Sequence, residues 1–227
     1  MTVMLPTYYR YLKRYPRSFL NRILGMYTVR EQVFIVQLNV FTGDLPHEVY
    51  DLKGSSYGRS ASEREKQSAF VILKDNDFRS NPGRSILLAP AARQDFLRQV
   101  STDLMYLEES GIVDYSVLLG VHFRDRQDEE PGGAGGRLQT VTETPRHHHV
   151  DTSRAQIEEL QPPSYQQTVG CEVFSSDANQ VYYLGIIDIL TPFNLQKKHV
   201  GPGSISLIDP KKYAGRLRQF IEEKTES

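Results

Sequence analysis

Residues 112–121 (IVDYSVLLGV) and 181–190 (VYYLGIIDIL) are two apolar runs, and each holds a single acidic residue, Asp114 and Asp188. Runs of this length and composition read as buried strands. A carboxylate inside such a run loses its hydration, which is costly unless a cation or metal stands beside it. An aspartate at a strand end, capping or turning the chain, is the simpler explanation for one residue alone. For two, accompanied by the charged string DLKGS at 51–55, a site built around them is the better reading.

The surrounding sequence supplies the elements that could cover these strands. Leu5, Tyr8, Tyr9, Leu12 and Tyr15 recur at helical spacing and Pro16 ends the pattern, which predicts a helix over 4–15. Residues 22–30 and 33–41 are rich in β-branched and aromatic side chains and predict two strands around a turn at Arg30-Glu31-Gln32; a short strand over 48–53 leads into Gly54-Ser55. Phe96, Leu97, Val100, Leu104 and Leu107 share one face of a helix over 92–109, and Gly111 occupies the place of a left-handed terminus. Asp209-Pro210 gives an N-cap and a first-turn proline to a last helix faced by Tyr213, Leu217, Phe220 and Ile221. The fold class is α+β. Residues 124–180 break the pattern with DEEPGGAGG, three histidines and QPPSYQQ, and read as a disordered insertion whose ends, His122 and Val181, meet in space.

Composition narrows the classes. Hydrophobic residues make up 39% of the 227, enough for a sizeable core, and the net charge of −1 carries no nucleic-acid signature. Residues 1–30 carry Arg10, Lys13, Arg14, Arg17, Arg22 and Arg30 and no acid, which makes either a basic patch or a solvated helix face. Cys171 stands alone, so no intrachain disulfide forms, as suits a reducing compartment. No apolar run approaches the ~20 residues of a membrane-spanning helix, and no signal-peptide core follows Met1. A cytoplasmic protein, or one peripheral on a membrane, is expected. His147, His148 and His149 lack the spacing of a metal shell; Pro162-Pro163-Ser164-Tyr165 reads as proline-rich disorder before it reads as a docking peptide.

Phosphoryl transfer needs one carboxylate to orient the nucleophile, a second to hold Mg²⁺ and cations for the phosphates, and the chain offers all three. The strings YDLKGSSYGRSAS (50–62), LKDNDF (73–78), DYSVLLGVH (114–122), YYLGIIDILTPFNLQKK (182–198) and DPKKYAGRLRQFI (209–221) together resemble the phosphatidylinositol phosphate kinase family in order and placement. The resemblance covers roughly residues 1–123 and 181–222. It implies a kinase-like fold with an incomplete N-lobe edge and a C-lobe of antiparallel sheet and helices: a core over 1–222 interrupted at 124–180, then a tail at 223–227. It implies ATP and Mg²⁺ as cofactors, Asp114 as the catalytic aspartate facing the inositol hydroxyl and Asp188 as the Mg²⁺ ligand. Lys53 and Arg59 would face phosphates, and the backbone at Asn39, Val40 and Phe41 would receive adenine. Lys197 and Lys198 would meet an anionic membrane, the plasma membrane among others, and select the substrate.

The chain also departs from that family's pattern. It has no Gly-rich loop, no strand lysine for the α- and β-phosphates and no helix glutamate to pair with that lysine. The segment after Lys198 is short, and Val200 matches neither the 4-phosphate 5-kinase nor the 5-phosphate 4-kinase type. The leading expectation is ATP-dependent phosphorylation of a phosphatidylinositol phosphate, of the 4-phosphate 5-kinase type, with weak or no turnover by this chain alone. A non-catalytic phosphoinositide-binding scaffold and a piece of a longer kinase are the alternatives, and a homodimer stays open.

Overall fold

A computed structural model describes residues 4–42, 44–68, 70–124, 179–193 and 208–227, and the backbone of 172–174. Helix α1 (Met4–Arg14) is followed by a hairpin of β1 (Ile23–Val29) and β2 (Gln32–Gln37). Then come β3 (Glu48–Leu52), α2 (Glu63–Lys66), β4 (Leu73–Lys74), α3 (Asp75–Ser80) and β5 (Ile86–Leu87). The long helix α4 (Pro90–Glu109) leads through a left-handed Gly111 to β6 (Ser116–Phe123). The chain closes with β7 (Glu172–Phe174), β8 (Gln180–Ile187), α5 (Pro210–Glu223) and β9 (Thr225–Glu226).

Five strands form the central sheet in the order β4-β3-β6-β8-β7, antiparallel except for the β3–β4 pair. Alternation along the strands sorts their side chains onto two faces. Leu52, Val117 and Ile186 lie in register, as do Tyr50, Leu119 and Leu184. This face packs on Phe96, Val100, Leu104 and Leu107 of α4 and on Tyr213, Leu217, Phe220 and Ile221 of α5, all in one buried cluster. The opposite face carries a smaller cluster of Val40, Val181 and Tyr183, with Phe41, Leu118 and Ile187 against it. The segment after β2 therefore lies across the back of the sheet. α4 and α5 form as the apolar spacing requires, and Asp209 caps α5 by accepting from the Lys211 and Lys212 amides at 3.0 and 3.3 Å.

Several expectations change. The strand expected over 33–41 ends at Gln37, because Val40 turns into the second core. The 223–227 tail is structural: β9 pairs in parallel with β5, Thr225 is buried and its hydroxyl donates to the Ile221 carbonyl at 2.6 Å. The ends of the 124–180 insertion do meet, since His122 pairs with Val181 and the Arg124 amide donates to the Asn179 carbonyl at 3.0 Å. Its last part is not an insertion loop, because 172–174 add an edge strand to β8. Residues 125–171, with Cys171, the histidine tract and Pro162–Tyr165, lie outside the described residues. Among the described residues most of the β1–β2 hairpin is uncovered: Ile23 and Ile35 are half-buried, but Leu24, Met26, Tyr27, Val29, Val33, Phe34 and Val36 are exposed. An isolated two-stranded ribbon is marginal in water. Among the described residues no helix is long and apolar enough to cross a membrane.

Candidate active site

Register alone brings the charged residues together. Leu52 pairs with Val117 and Ser116 pairs with Ile187, so β3 ends, β6 begins and β8 ends at one edge of the sheet. Lys53 follows β3, Asp114 precedes β6 and Asp188 follows β8. The expectation that both aspartates sit inside strands is corrected. Asp114 and Asp188 adopt left-handed backbone conformations, φ 66° and 61°, which no strand accommodates, and each marks a strand end. Such conformations cost an L-residue about 1–2 kcal/mol. They cluster where a site is being shaped.

Lys53 is the cation of the group. Its Nζ donates to the Asp114 carbonyl at 2.8 Å and forms an ion pair with Asp114 Oδ1. The lysine side chain is 16% exposed and the aspartate 37%, so the pair sits at a half-open rim. Asp188 keeps one side open to solvent and takes part in no ion pair among the described residues. Desolvation by the protein on its other side raises its proton affinity; Lys53 opposes that shift, and the charges of Asp51 and Asp114 add to it. A carboxylate open to solvent, beside two further carboxylates and short of positive charge, suits a divalent cation with oxygen ligands. The described residues hold no cluster of three acidic, His or Cys side chains placed as a complete metal shell. Asp188 is the residue that could hold such a cation.

Arg59, expected to face phosphates, is tied into the protein. Its Nη2 donates to Asp51 Oδ1 at 2.5 Å and to the Asp51 carbonyl at 2.6 Å, and its Nε donates to Asp75 Oδ2 at 2.8 Å. Its side chain is 13% exposed. Burial alone would lower its proton affinity, but the bonds and charges of Asp75 and Asp51 outweigh burial and hold it above the usual guanidinium range. Asp51 also accepts from the Ser116 hydroxyl at 3.2 Å. Gly54 follows β3 and packs against the C-terminal helix. At φ 70° its backbone presses on α5, where an added Cβ would stand 2.8 Å from Leu217 Cα.

The segment expected to receive adenine lies where strand glycines make room. A Cβ on Gly185 would stand 2.6 Å from Val40 Cγ2, and one on Gly120 would stand 2.7 Å from Phe41 Cε1. Val40 is buried, and the Phe41 amide donates to Asn39 Oδ1 at 3.1 Å. Lys197, Lys198 and Val200 lie outside the described residues. Three participants escaped sequence reasoning. Asp51 and Asp75 stand in the strings DLKGS and LKDNDF, which could have pointed to them. Arg216, whose Nε donates to the Lys53 carbonyl at 3.2 Å, comes from α5 and stands in the string DPKKYAGRLRQFI, which could likewise have pointed to it.

Comparison with known proteins fits this arrangement. The Phosphatidylinositol-4-phosphate 5-Kinase family model matches residues 1–224. A probable phosphatidylinositol phosphate kinase of Dictyostelium discoideum is 32% identical over 96% of this chain and 37% of its own length. The human phosphatidylinositol 5-phosphate 4-kinase type-2 beta is 30% identical over 90% of this chain and 56% of its own. The human phosphatidylinositol 4-phosphate 5-kinase-like protein 1 is 33% identical, with 98% and 58% covered. The chain thus spans between 37% and 58% of the length of these relatives. Matched along nearly its whole length, and with its charged strand ends gathered at one edge of the sheet, the chain belongs to the phosphatidylinositol phosphate kinase family.

Proposed function

We propose that the chain carries the carboxylate-bearing part of an ATP-dependent kinase that phosphorylates the inositol ring of a phosphatidylinositol monophosphate, of the 4-phosphate 5-kinase type, at the cytoplasmic face of a membrane such as the plasma membrane. The observation that carries this reading is the convergence of Lys53, Asp114 and Asp188 at the ends of three adjacent strands. ATP with Mg²⁺ would supply the phosphoryl group and the counter-charge. Asp114 takes the proton of the attacking inositol hydroxyl, the role of a carboxylate at hydrogen-bond reach of a nucleophile. Lys53, held by Asp114, stands ready to meet phosphate charge as substrate enters. Arg59 steadies Asp51, and Asp188, with the charge of Asp51 acting on it, would hold the cation. The backbone at Asn39, Val40 and Phe41 receives the adenine. Lys197 and Lys198 meet the anionic leaflet, each contributing ~1 kcal/mol.

The preference for the 4-phosphate is supported by the family model's description and by one relative's name; another relative is named for the 5-phosphate. The test offers the chain Mg²⁺, ATP and vesicles holding either phosphatidylinositol 4-phosphate or 5-phosphate. The expected result is slow formation of the bisphosphate from the 4-phosphate, with the new phosphate on position 5. Turnover of the 5-phosphate alone overturns the isomer. Vesicle binding with no turnover of either lipid favours the alternative, a non-catalytic phosphoinositide binder, and the absence of both binding and turnover overturns the reading.

A further inference from the structure

The string LKDNDF is not used by the roles assigned above, yet its three central side chains all face one loop. Asp75 is fully buried. Its Oδ1 accepts three successive backbone amides, Lys53 at 3.0 Å, Gly54 at 2.7 Å and Ser55 at 3.2 Å, and its Oδ2 accepts Arg59 Nε at 2.8 Å. The Asn76 amide donates to the Arg59 carbonyl at 2.8 Å, and its Nδ2 donates to the Ser56 carbonyl at 2.7 Å and to Ser60 Oγ at 3.0 Å. Asp77 Oδ2 accepts the Ala61 amide at 2.8 Å. Residues 75–77 are thus a template for the course of residues 53–61.

Successive amides around a left-handed residue form a concavity that binds anions. Here that concavity is filled from within by the Asp75 carboxylate, so the amides of the Gly54 loop serve the protein and not a nucleotide. What the carboxylate fixes is the Lys53 backbone. The Lys53 amide is held by Asp75, its carbonyl by Arg216, and its side chain then runs to Asp114. A lysine side chain has four rotatable bonds, so its ammonium finds one carboxylate reliably only if its Cα is fixed. The same Asp75 orients Arg59 toward Asp51, so one buried charge aligns both cations of the site.

We propose that Asp75 is a positioning residue for phosphoryl transfer: it acts through Lys53 and Arg59 and touches no substrate. The proposal rests on the kinase reading above, and its test separates the two. Asp75→Asn keeps the size and one acceptor but sets an amide against the Arg59 Nε donor. Asp103→Asn is the control, a buried carboxylate that accepts from Tyr11, Phe19 and Gln99 and does not touch the loop. Each variant of the full chain is melted, then labelled briefly with an amine-reactive ester, and Lys53 modification is read by mass spectrometry relative to the exposed Lys211.

Asp75→Asn should raise relative Lys53 labelling several-fold, while Asp103→Asn, with a comparable loss of melting temperature, should leave it unchanged. Lipid-kinase kcat should fall about 100-fold in Asp75→Asn with the KM for ATP nearly constant, as for a misplaced catalytic group. Unchanged Lys53 labelling, or an equal rise in the control, overturns the proposal. If the unaltered chain shows no turnover, the labelling comparison alone decides whether Asp75 places Lys53. If Asp75→Asn gives no cooperative melt, Asn76→Ala loosens the same loop from a half-buried position, and its Lys53 labelling decides by the same criterion.

Discussion

Gly54 offers the sharpest test of how the site is held against the C-terminal helix. Gly54 and Gly58 have nearly the same left-handed backbone, φ 70° and 63°, but different surroundings. An added Cβ at Gly58 meets nothing within 4 Å, whereas at Gly54 it meets Leu217 Cα at 2.8 Å and the Arg216 carbonyl at 2.9 Å. Alanine in the left-handed region costs about 1–2 kcal/mol. Its smaller unfolded-state entropy returns roughly 0.4–1 kcal/mol. Gly58→Ala should therefore cost roughly 0–1.6 kcal/mol. At Gly54 the overlap is with helix backbone, which cannot rotate aside, and overpacking of that kind adds about 1–3 kcal/mol. Each kcal/mol lowers the melting temperature of a chain this long by roughly 2–4 °C. Calorimetry or urea unfolding of the two variants side by side isolates the overlap from the backbone effect. Equal destabilisation would refute the claim that Gly54 is required by contact with α5. A Gly54→Ala variant that is markedly less stable but keeps the Lys53–Asp114 pair would show that α5 can retreat as a body.

Asp114→Asn should lower turnover by roughly 10²–10⁴-fold with little change in nucleotide affinity, as loss of a proton acceptor does; a kcat and binding series checks it, and loss of nucleotide binding alone would exchange the roles of the two aspartates. Asp188→Asn should abolish Mg²⁺-dependent nucleotide binding, read by calorimetric titration, and retained binding would remove its assignment as the metal ligand. The same variant has a stability signature. Because burial raises the Asp188 pKa above its ordinary 3.8, the fold favours the protonated form. That stabilisation is present at low pH and disappears as pH rises through the folded value, so at neutral pH the ionised carboxylate opposes folding. Asp188→Asn should then be at least as stable as the parent at neutral pH, with a flatter pH dependence; a clear loss of stability would sink this account. Binding to anionic vesicles through the basic residues of 10–30 and through Lys197 and Lys198 should weaken sharply with salt in a sedimentation assay, since exposed charges are screened beyond about 8–10 Å at physiological ionic strength.

Local patterns carried the long elements and failed at the contacts between distant segments. The apolar stripe of α4, the Asp209 cap and the left-handed Gly111 all follow from neighbours in sequence, and each is present. The two acids were legible because few apolar runs hold one acid each, although they were expected inside the strands and stand at strand ends. Their joint placement was not, because it depends on register, and register is set by which faces bury. Asp75 was harder still. Its partners are residues 53–59, and from sequence a short acidic stretch reads as a solvated turn. The short pieces α2, α3, β5 and β9 have too few residues for any period to show. The β1–β2 alternation predicts a ribbon correctly but is silent on what would cover it.

The backbone at this edge of the sheet also says why aspartates stand there at all. Three left-handed positions lie at the site, and glycine takes one of them, at 54. A chain that needed only the turns would be best served by glycine at the others too, since glycine meets no Cβ penalty. Asp114 and Asp188 accept that penalty, and each projects its carboxylate off a strand end into a place that neither face of the sheet can bury. A strand residue would point its side chain into one of the two cores; a left-handed residue just beyond the strand is released from that alternation. The strained turns are thus what keeps two acids beside an apolar sheet and within reach of water, Lys53 and a cation. This also accounts for the conflict at Asp188, where the proposed metal role calls for the ionised form that its surroundings disfavour.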